Sequence, residues 1–198
     1  MKLLMSPASP FVRKVRILAR EAQVAIEEVA VTASPLGGEE ALNIANPLGK
    51  IPALVRDSGP TLYDSRVITR YIDAQSNAQF YPEARIWETL TLEATGDGIA
   101  DAAVGIIYEH RVKALEKVSH DWVEAQWQKV TRALEAIEVR WMSHLAGPMD
   151  MGHISVAAAL GYLDLRHDAR SWRDGRPQLA AWYAEFEARA SMQETKPN

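Results

Sequence analysis

The first part of the chain alternates between strand-like and helix-like patterns of apolar positions. Residues 2–5 and 26–31 are short runs that predict strands, and residues 53–63 contain two further runs separated by the turn-forming sequence 57–60. Helical periodicity fills the intervals between these runs. The predicted order is therefore β-α-β-α-β-β-α, with Ser65 as the cap of the last helix.

The first helix is predicted to follow Ser9, because serine is a preferred cap and Pro10 suits the first helical turn. Apolar residues then recur at spacings of four, three and four, at Phe11, Val15, Leu18 and Ala22. The opposite side carries basic residues: Arg13, Lys14, Arg16 and Arg20. This pattern predicts an amphipathic helix with one basic face.

The second part of the chain is helical in pattern, and the predicted segments are residues 85–111, 119–145, 150–166 and 178–189. The first of them contains Gly96, Gly98 and Gly105. Glycine lowers the stability of a helix, so we expect another helix or another chain to pack closely there.

A change of composition divides the two parts. The sequence after residue 75 is polar, and Pro82 prevents the preceding helix from continuing. We therefore predict a first domain of residues 1–75, a linker of residues 76–84 and an all-α domain of residues 85–198.

Composition excludes several classes of function. The 198 residues contain no cysteine, which excludes a disulfide exchanger, a cysteine hydrolase, a thiolate zinc site and an iron–sulfur protein. The net charge of -4 argues against nucleic-acid binding, and the apolar runs are too short to span a membrane. The five histidines have no i, i+4 spacing typical of a metal site. We expect a cytoplasmic protein that binds no metal.

Three segments of the first domain stand out together: residues 6–16, 46–54 and 62–66. The most specific of them contains Asn46-Pro-Leu-Gly-Lys-Ile-Pro52. In these segments the sequence resembles the cytosolic-type glutathione transferases, and in particular bacterial members that use a serine. The resemblance extends over essentially the whole chain, because the element order, the linker and the helical second half all correspond.

The resemblance implies an α/β thioredoxin-like N-terminal domain of βαβαββα order, followed by an all-α domain. It also implies a homodimer that uses glutathione as a co-substrate and acts in detoxification. No thiol of the protein takes part in this reaction, because the chain contains no cysteine.

Ser9 is the candidate catalytic residue. Its hydroxyl would lie beside the N–H groups at the start of a helix, a position that favours an anion such as a thiolate. The alternative is that Ser9 is only a helix cap. The competing hydroxyl is Ser6, but the serine-dependent members of the family use the serine directly before proline.

Lys50, Ile51 and Pro52 are candidates for the peptide part of glutathione. In the family this proline is cis, which turns the backbone of the preceding residue outward to pair with the cysteinyl unit. Lys50 would reach a carboxylate of the ligand. The alternative is a proline that only begins a strand.

Phe11, Asp64 and Ser65 complete the glutathione site that the resemblance implies. The Ser65 hydroxyl and the first N–H groups of a helix suit a carboxylate, while Asp64 suits an ammonium group. The alternative is a plain helix cap. Many family members have Glu where this chain has Asp64, so the reach of the shorter side chain differs.

Three acidic residues of the long helix, Glu93, Asp97 and Asp101, follow one another at spacings of four. Like charges at that spacing repel one another unless they are solvated or paired. One interpretation is a solvated helix face. The other is a cleft between two subunits, in which Asp97 or Asp101 meets the amine of the partner's glutathione.

The second substrate that the resemblance implies is an electrophile. The resemblance places an electrophile pocket at Ala8, Ile107, Tyr108 and Arg111. Ala8 stands where the maleylacetoacetate isomerase branch carries cysteine, which disfavours cis–trans isomerisation. The leading interpretation is thiolate addition to a small hydrophobic electrophile, and the alternative is a non-catalytic glutathione-binding protein with a regulatory role.

One position departs from the family pattern in the all-α domain. The helix predicted from Asp150 has His153 three residues after its cap, where the family usually has aspartate. We therefore expect one side of the capping box to be weaker here.

Overall fold

A computed structural model describes residues 1–197, which divide into two units. The first contains Met1–Glu83 together with the residues from Ala190 onward, and the second contains Ala84–Arg189. The chain therefore leaves the first unit and returns to it after the helical unit. The predicted all-α domain of residues 85–198 differs from this division at its C-terminal end.

A mixed sheet forms the centre of the first unit. Its strands are β1 (Lys2–Met5), β2 (Glu27–Ala30) and β3 (Ala53–Val55), in the order β2-β1-β3. β1 is parallel to β2 and antiparallel to β3. The helices of this unit are α1 (Pro10–Glu21), α2 (Glu40–Ala45), α3 (Ser65–Ser76) and α9 (Ala190–Glu194). The thioredoxin-like fold predicted from the sequence is confirmed.

The predicted second strand of the hairpin is reduced to one bridge. Leu54 and Leu62 exchange both backbone hydrogen bonds, at 2.9 and 3.0 Å. The next bonded pairs on either side would involve Pro60 and Pro52, and neither has an N–H group to donate. The side chain of Arg56 instead donates to the Pro60 carbonyl at 2.9 Å.

Helix α1 is buried on its basic side as well as on its apolar side. The predicted helix with apolar and basic faces is present, but its basic face is not solvated, because Arg13, Lys14 and Arg16 are all buried. Two of the three reach the C-terminal segment, because Arg13 donates to the Met192 carbonyl at 3.1 Å and Arg16 to the Thr195 carbonyl at 3.3 Å. Carbonyls near a helix end lack internal partners, and these guanidinium groups supply them.

The helices of the second unit are α4 (Ile86–Val112), α5 (His120–Arg140), α6 (Met142–Leu145), α7 (Met151–Arg166) and α8 (Pro177–Glu187). Helices α4 and α7 run side by side in the same direction. Thr89 bonds to Asp150 at 2.9 Å near their first turns, and farther along Ser155 bonds to the Glu93 carbonyl at 2.9 Å. Within residues 1–197, no helix combines the length and apolar character needed to cross a membrane.

The glycines of α4 differ in their surroundings. A Cβ atom on Gly96 would lie 2.6 Å from Ser155, so α7 packs directly on this backbone. A Cβ on Gly105 would lie 3.2 Å from Trp122, whereas one on Gly98 would meet nothing within 4 Å. Close packing of α7 therefore explains the glycine at position 96, as expected. No such packing explains the glycine at position 98.

The capping box of α7 is complete. The Asp150 carboxylate accepts from the Gly152 and His153 N–H groups, and His153 Nδ1 lies 3.2 Å from the Asp150 N–H group. The expected weakening at His153 is therefore wrong, because an imidazole nitrogen takes the acceptor role usually filled by a carboxylate.

Candidate functional site

Three of the predicted site segments meet at one end of the sheet. Leu4 of β1 lies opposite Ala53 of β3, and Leu54 lies opposite Leu62. Both pairings are antiparallel. The same end of the sheet therefore carries the residues after β1, the residues before β3 and the residues after Leu62. Ser9, Ile51 and Asp64 follow or precede these positions within a few residues. The structure thus brings together segments that are far apart in sequence.

Ser9 lies at the entry to α1. Its backbone is extended, and its Oγ accepts a hydrogen bond from the Val12 N–H at 3.3 Å. Within residues 1–197 the Ser9 hydroxyl donates to no protein acceptor. The hydroxyl therefore caps the helix with its oxygen and keeps its proton for a ligand.

Ser6 lies just after β1 and differs from Ser9 in its relation to the helix. Its carbonyl accepts from the Ser9 N–H at 3.1 Å, which closes the turn between them. Both serines are half-buried, as is Ala8. Only Ser9 touches the first N–H groups of α1, so the helix end polarises the surroundings of Ser9 more than those of Ser6.

Asn46 shapes the loop before Ile51, and sequence reasoning missed this role. The side chain is buried; its amide donates to the Lys50 carbonyl at 2.7 Å and its oxygen accepts from the Leu48 N–H at 3.0 Å. Gly49 within this loop has a φ of +62°, a conformation that glycine adopts without cost. The sequence signal was the tendency of asparagine to bond to backbone two residues ahead.

Ile51 presents an unused backbone edge. Within the described part of the chain, neither its N–H nor its carbonyl forms a hydrogen bond. The Ile51–Pro52 peptide bond is cis, and Pro52 is buried while Ile51 is half-buried. The exposed ammonium of Lys50 forms no ion pair among residues 1–197. A peptide ligand is able to pair with this edge as an added strand.

The start of α3 differs in one detail from the sequence prediction. The cap is Asp64, whose carboxylate accepts from the Arg66 N–H at 3.0 Å, and Ser65 is the first helical residue. Ser65 is buried, and its N–H group belongs to the first turn, where internal partners are lacking. The prediction of Ser65 as the cap is wrong, because Asp64 occupies that position.

The charge of Asp64 is fixed by its neighbours. Burial opposes ionisation, but the hydrogen bond and charge of Arg66, with a further contribution from Lys14, hold the pKa of the Asp64 carboxyl below its usual range. The Arg66 guanidinium lies 2.9 Å from Asp64 Oδ2. Asp64 is therefore an anion at neutral pH and suits a ligand's ammonium group.

The acidic stripe of α4 is not a solvated face. Glu93 is 1% exposed and Asp97 is 7% exposed, while Asp101 is exposed. Ser155 of α7 donates to Asp97 Oδ1 at 3.1 Å as well as to the Glu93 carbonyl. The solvated interpretation is wrong for Glu93 and Asp97, and the role of Asp97 and Asp101 across subunits stays a prediction.

Three residues predicted for the electrophile pocket belong to the helical unit. Ile107 and Tyr108 are half-buried on α4, and Arg111 in its last turn is exposed. Ala8, the fourth predicted member, belongs to the first unit. Their role as an electrophile pocket stays a prediction.

The structure also groups two histidines around one carboxylate. His144 Nε2 lies 2.8 Å and His153 Nδ1 lies 2.9 Å from the oxygens of Asp150. Metal-ligand residues are thus present, but the same oxygens accept from Thr89 and Gly152, and the Arg85 guanidinium lies at 3.3 Å. A cation would compete with that guanidinium and with the helix cap, so the bonds from Thr89 and Gly152 and the nearby Arg85 account for this carboxylate without a metal.

Protein-family models match segments of both units. The glutathione S-transferase N-terminal domain matches residues 3–80, and the glutathione S-transferase C-terminal domain matches residues 121–185. Among curated proteins, the uncharacterized GST-like protein YibF of Escherichia coli (strain K12) is 32% identical over 202 residues. That match covers 100% of this chain and 98% of YibF.

Two solved structures are similar over the whole chain. A glutathione transferase family member from Pseudomonas fluorescens Pf-5 with bound glutathione has 46% sequence identity and a TM-score of 0.97. The match covers 100% of this chain and 98% of that chain. A structure of a P. fluorescens Pf-5 family member with bound S-(propanoic acid)-glutathione has 44% identity, a TM-score of 0.92 and full coverage of both chains.

Proposed function

Because the chain belongs to the glutathione S-transferase family, we propose that it is a glutathione transferase in which Ser9 stabilises the thiolate of bound glutathione. The observation that carries the proposal is the Ser9 hydroxyl, which caps α1 with its oxygen and keeps its proton uncommitted within residues 1–197. The glutathione-bound relative from P. fluorescens supports the same ligand.

The sheet end offers a group for each part of glutathione. We assign the cysteinyl backbone to the unused N–H and carbonyl of Ile51, next to Pro52 and Phe11. The Lys50 ammonium binds a carboxylate of glutathione. The N–H groups in the first turn of α3, at Ser65, bind the carboxylate of the γ-glutamyl end. Asp64, held as an anion, accepts from the ammonium group at that end.

The energy that Ser9 must supply is small. A thiol has a pKa of about 8.5, and lowering it to about 6.5 raises the thiolate fraction at pH 7 from roughly 3% to roughly three quarters. That shift corresponds to ~2.7 kcal/mol of preference for the thiolate over the thiol. A hydrogen bond to a charged acceptor together with a helix N-terminus is sufficient.

The reaction is addition of the thiolate to a small hydrophobic electrophile. The sulfur supplies both electrons of the new C–S bond, and the electrophile accepts an electron pair or releases a leaving group. The ligand of the second P. fluorescens structure is such a thioether of glutathione, which supports this type of product. Ala8, Ile107, Tyr108 and Arg111 are the proposed contacts of the electrophile.

The variant Ser9→Ala tests the role of the hydroxyl. We expect glutathione affinity to stay nearly unchanged, because the contacts at Ile51 and α3 remain. We expect kcat/KM to fall about 10- to 150-fold, since a hydrogen bond to a charged group contributes ~1.5 to 3 kcal/mol. The apparent pKa of bound glutathione, measured from thiolate absorbance, should rise in the same variant.

Ser6→Ala is the matched control and should leave both quantities unchanged. If Ser6→Ala alone lost activity, the Ser6 hydroxyl and not the Ser9 hydroxyl would be the group that stabilises the thiolate. Glutathione should also raise the melting temperature of the parent protein in a concentration-dependent way. Binding without turnover of any electrophile would favour the non-catalytic alternative, and no binding at millimolar glutathione would refute the proposal.

A further inference from the structure

The buried side chain of Asn46 is bonded to the peptide group that precedes Ile51. Asn46 is 2% exposed, and its Nδ2 group donates to the Lys50 carbonyl at 2.7 Å while its Oδ1 atom accepts from the Leu48 N–H at 3.0 Å. Only one orientation of the amide satisfies both bonds. A reversed amide would set an oxygen against the Lys50 carbonyl and an NH2 group against the Leu48 N–H. The direction of the side chain is therefore fixed.

The backbone of Asn46 is held at both of its polar groups. Its N–H donates to the Leu42 carbonyl at the end of α2 at 2.8 Å, and its carbonyl accepts from the Gly49 N–H at 2.8 Å. Leu42 is fully buried and belongs to a core cluster of the first unit together with Leu4. Asn46 is thus anchored to the core through α2, and the loop of residues 46–50 closes on it.

The Lys50–Ile51 peptide carries this anchor to the backbone edge. The peptide is trans, so its carbonyl and its N–H group point in opposite directions. Because Asn46 holds the Lys50 carbonyl, the Ile51 N–H points away from Asn46. The Ile51 side chain packs against the core cluster that contains Leu42, and within residues 1–197 the Ile51 N–H forms no hydrogen bond. One backbone donor is thus held in a fixed direction without a protein acceptor.

Closure of the loop accounts for only one of the two side-chain bonds. The bond to Leu48 is the usual bond of asparagine to backbone two residues ahead, and it forms the turn. The bond to Lys50 acts instead on the peptide group whose N–H has no partner. A donor whose direction is fixed before a ligand arrives loses less freedom on binding, which favours affinity.

We propose that Asn46 is a positioning residue for glutathione: by holding the Lys50 carbonyl, it directs the Ile51 N–H to the cysteinyl carbonyl of the ligand. This inference rests on the proposed function, in which the Ile51 backbone receives the cysteinyl unit. Asn46 acts through the peptide group and not by contact with the ligand. It therefore sets the affinity for glutathione, whereas Ser9 sets the state of the sulfur.

Two ligands distinguish this role from a general loosening of the loop. Glutathione has the cysteinyl carbonyl, whereas γ-glutamylcysteamine lacks that carbonyl and the glycine but keeps the neighbouring amide N–H and the thiol. We expect Asn46→Ala to weaken glutathione about 3- to 10-fold in calorimetry and γ-glutamylcysteamine less than about 2-fold, because the truncated ligand has no acceptor for the Ile51 N–H. Asn43→Ala changes an exposed asparagine of α2 and is the matched control, which should alter neither affinity.

The sulfur provides a second readout. In Asn46→Ala, the apparent pKa of bound glutathione and kcat at saturating glutathione should equal those of the parent, while KM for glutathione rises. Ser9→Ala should show the reverse. Asn46→Asp has the same shape and still accepts from the Leu48 N–H, but its carboxylate cannot donate to the Lys50 carbonyl. It should weaken glutathione at least as much as Asn46→Ala does.

Amide hydrogen exchange tests the bond in the parent protein, whatever the stability of the variants. Glutathione should slow exchange of the Ile51 N–H about 10-fold in the parent and less in Asn46→Ala. Unslowed exchange of this N–H in the parent's glutathione complex would overturn the inference alone. An equal loss of both ligands, or no loss of glutathione affinity, in Asn46→Ala would do the same. If the parent binds no glutathione at millimolar concentration, the proposed function fails as well.

Discussion

At the scale of single residues, His167 links the stability of the helical unit to pH. Its ring is buried, and Nε2 must carry the proton that it donates to the Ala103 carbonyl. Burial is the largest cause that lowers the pKa of His167, and the charges of Arg170, Arg166 and His110 add to it, while the hydrogen bond to Ala103 opposes it. The folded protein therefore holds this imidazole neutral more strongly than the unfolded chain does.

We expect His167→Gln to flatten the pH dependence of unfolding. A lowered folded pKa contributes stability that is present above about pH 6.5 and is lost as the pH falls toward the folded value. The parent should lose free energy of unfolding between pH 7 and pH 5 in urea titrations, and the variant should lose less. His120→Gln changes an exposed histidine and should keep the parent's profile. A parent profile that is flat in this range would contradict the prediction.

The cap and proline signals at Ser9, Ile51 and Asp64 are local, and together with the family resemblance they made these residues candidates; their roles in binding and catalysis stay predictions. The sequence missed the burial of Arg13 and Arg16, because their acceptors are carbonyls in a segment about 180 residues later, and no local pattern records such a pairing. The buried amide of Asn46 was missed for a different reason. Its neighbours are close in sequence, but only the fold shows that the loop closes over it.

At the scale of helices and strands, α8 begins without a cap of its own. Arg176 precedes it and forms no side-chain cap, and Pro177 is its first residue. Glu138 of α5 supplies the missing acceptors, because its carboxylate accepts from the Gln178 N–H at 3.1 Å and the Leu179 N–H at 2.8 Å. One helix therefore caps another across 40 residues of sequence.

We expect Glu138→Ala to lower the free energy of unfolding by about 1 to 3 kcal/mol, since it leaves the buried Leu179 N–H and the part-buried Gln178 N–H without acceptors. Urea unfolding measures this change, and Glu138→Gln should lose less because its amide oxygen still accepts. The control is Glu135→Ala, an exposed position on the same helix, which should lie within about 0.5 kcal/mol of the parent. Equal stability of the Glu138 and Glu135 variants would refute the capping role.

The order of the elements could be predicted from the sequence, since each leaves its own periodicity. The length of the second hairpin strand, around Leu62, could not be predicted. Pro52 and Pro60 limit its pairing only because of the register in which Leu62 faces Leu54, and the sequence does not reveal that register. The sequence also did not predict that α9 belongs to the first unit, where Arg13 of α1 donates to the Met192 carbonyl.

At the scale of the whole molecule, one side of α4 is exposed from Trp87 to Asp101. Its exposed residues repeat at spacings of four and three: Trp87, Thr91, Ala94, Gly98 and Asp101. Trp87 is 76% exposed, and the open space at Gly98 admits the close approach of another helix. This surface suits the homodimer that the family resemblance implies.

We expect the protein to sediment at about twice its chain mass of 22.0 kDa at micromolar concentration. Ala94→Arg should shift the equilibrium toward the monomer, because a buried charge without a partner opposes association. Val139→Arg, at an exposed position of α5, should leave the dimer intact. Sedimentation of the parent at the mass of one chain would contradict the prediction and remove support for a cross-subunit role of Asp101.

The return of the chain to its first unit has a consequence for synthesis on the ribosome. Residues 1–83 emerge early, but the carbonyls that Arg13 and Arg16 bind belong to residues made only after Ala84–Arg189. At translation rates of about 5 to 20 residues per second, that interval is on the order of ten seconds. During this time the two guanidinium groups lack these carbonyl acceptors, so the nascent first unit forms its bonds to the C-terminal segment only after the helical unit has been made.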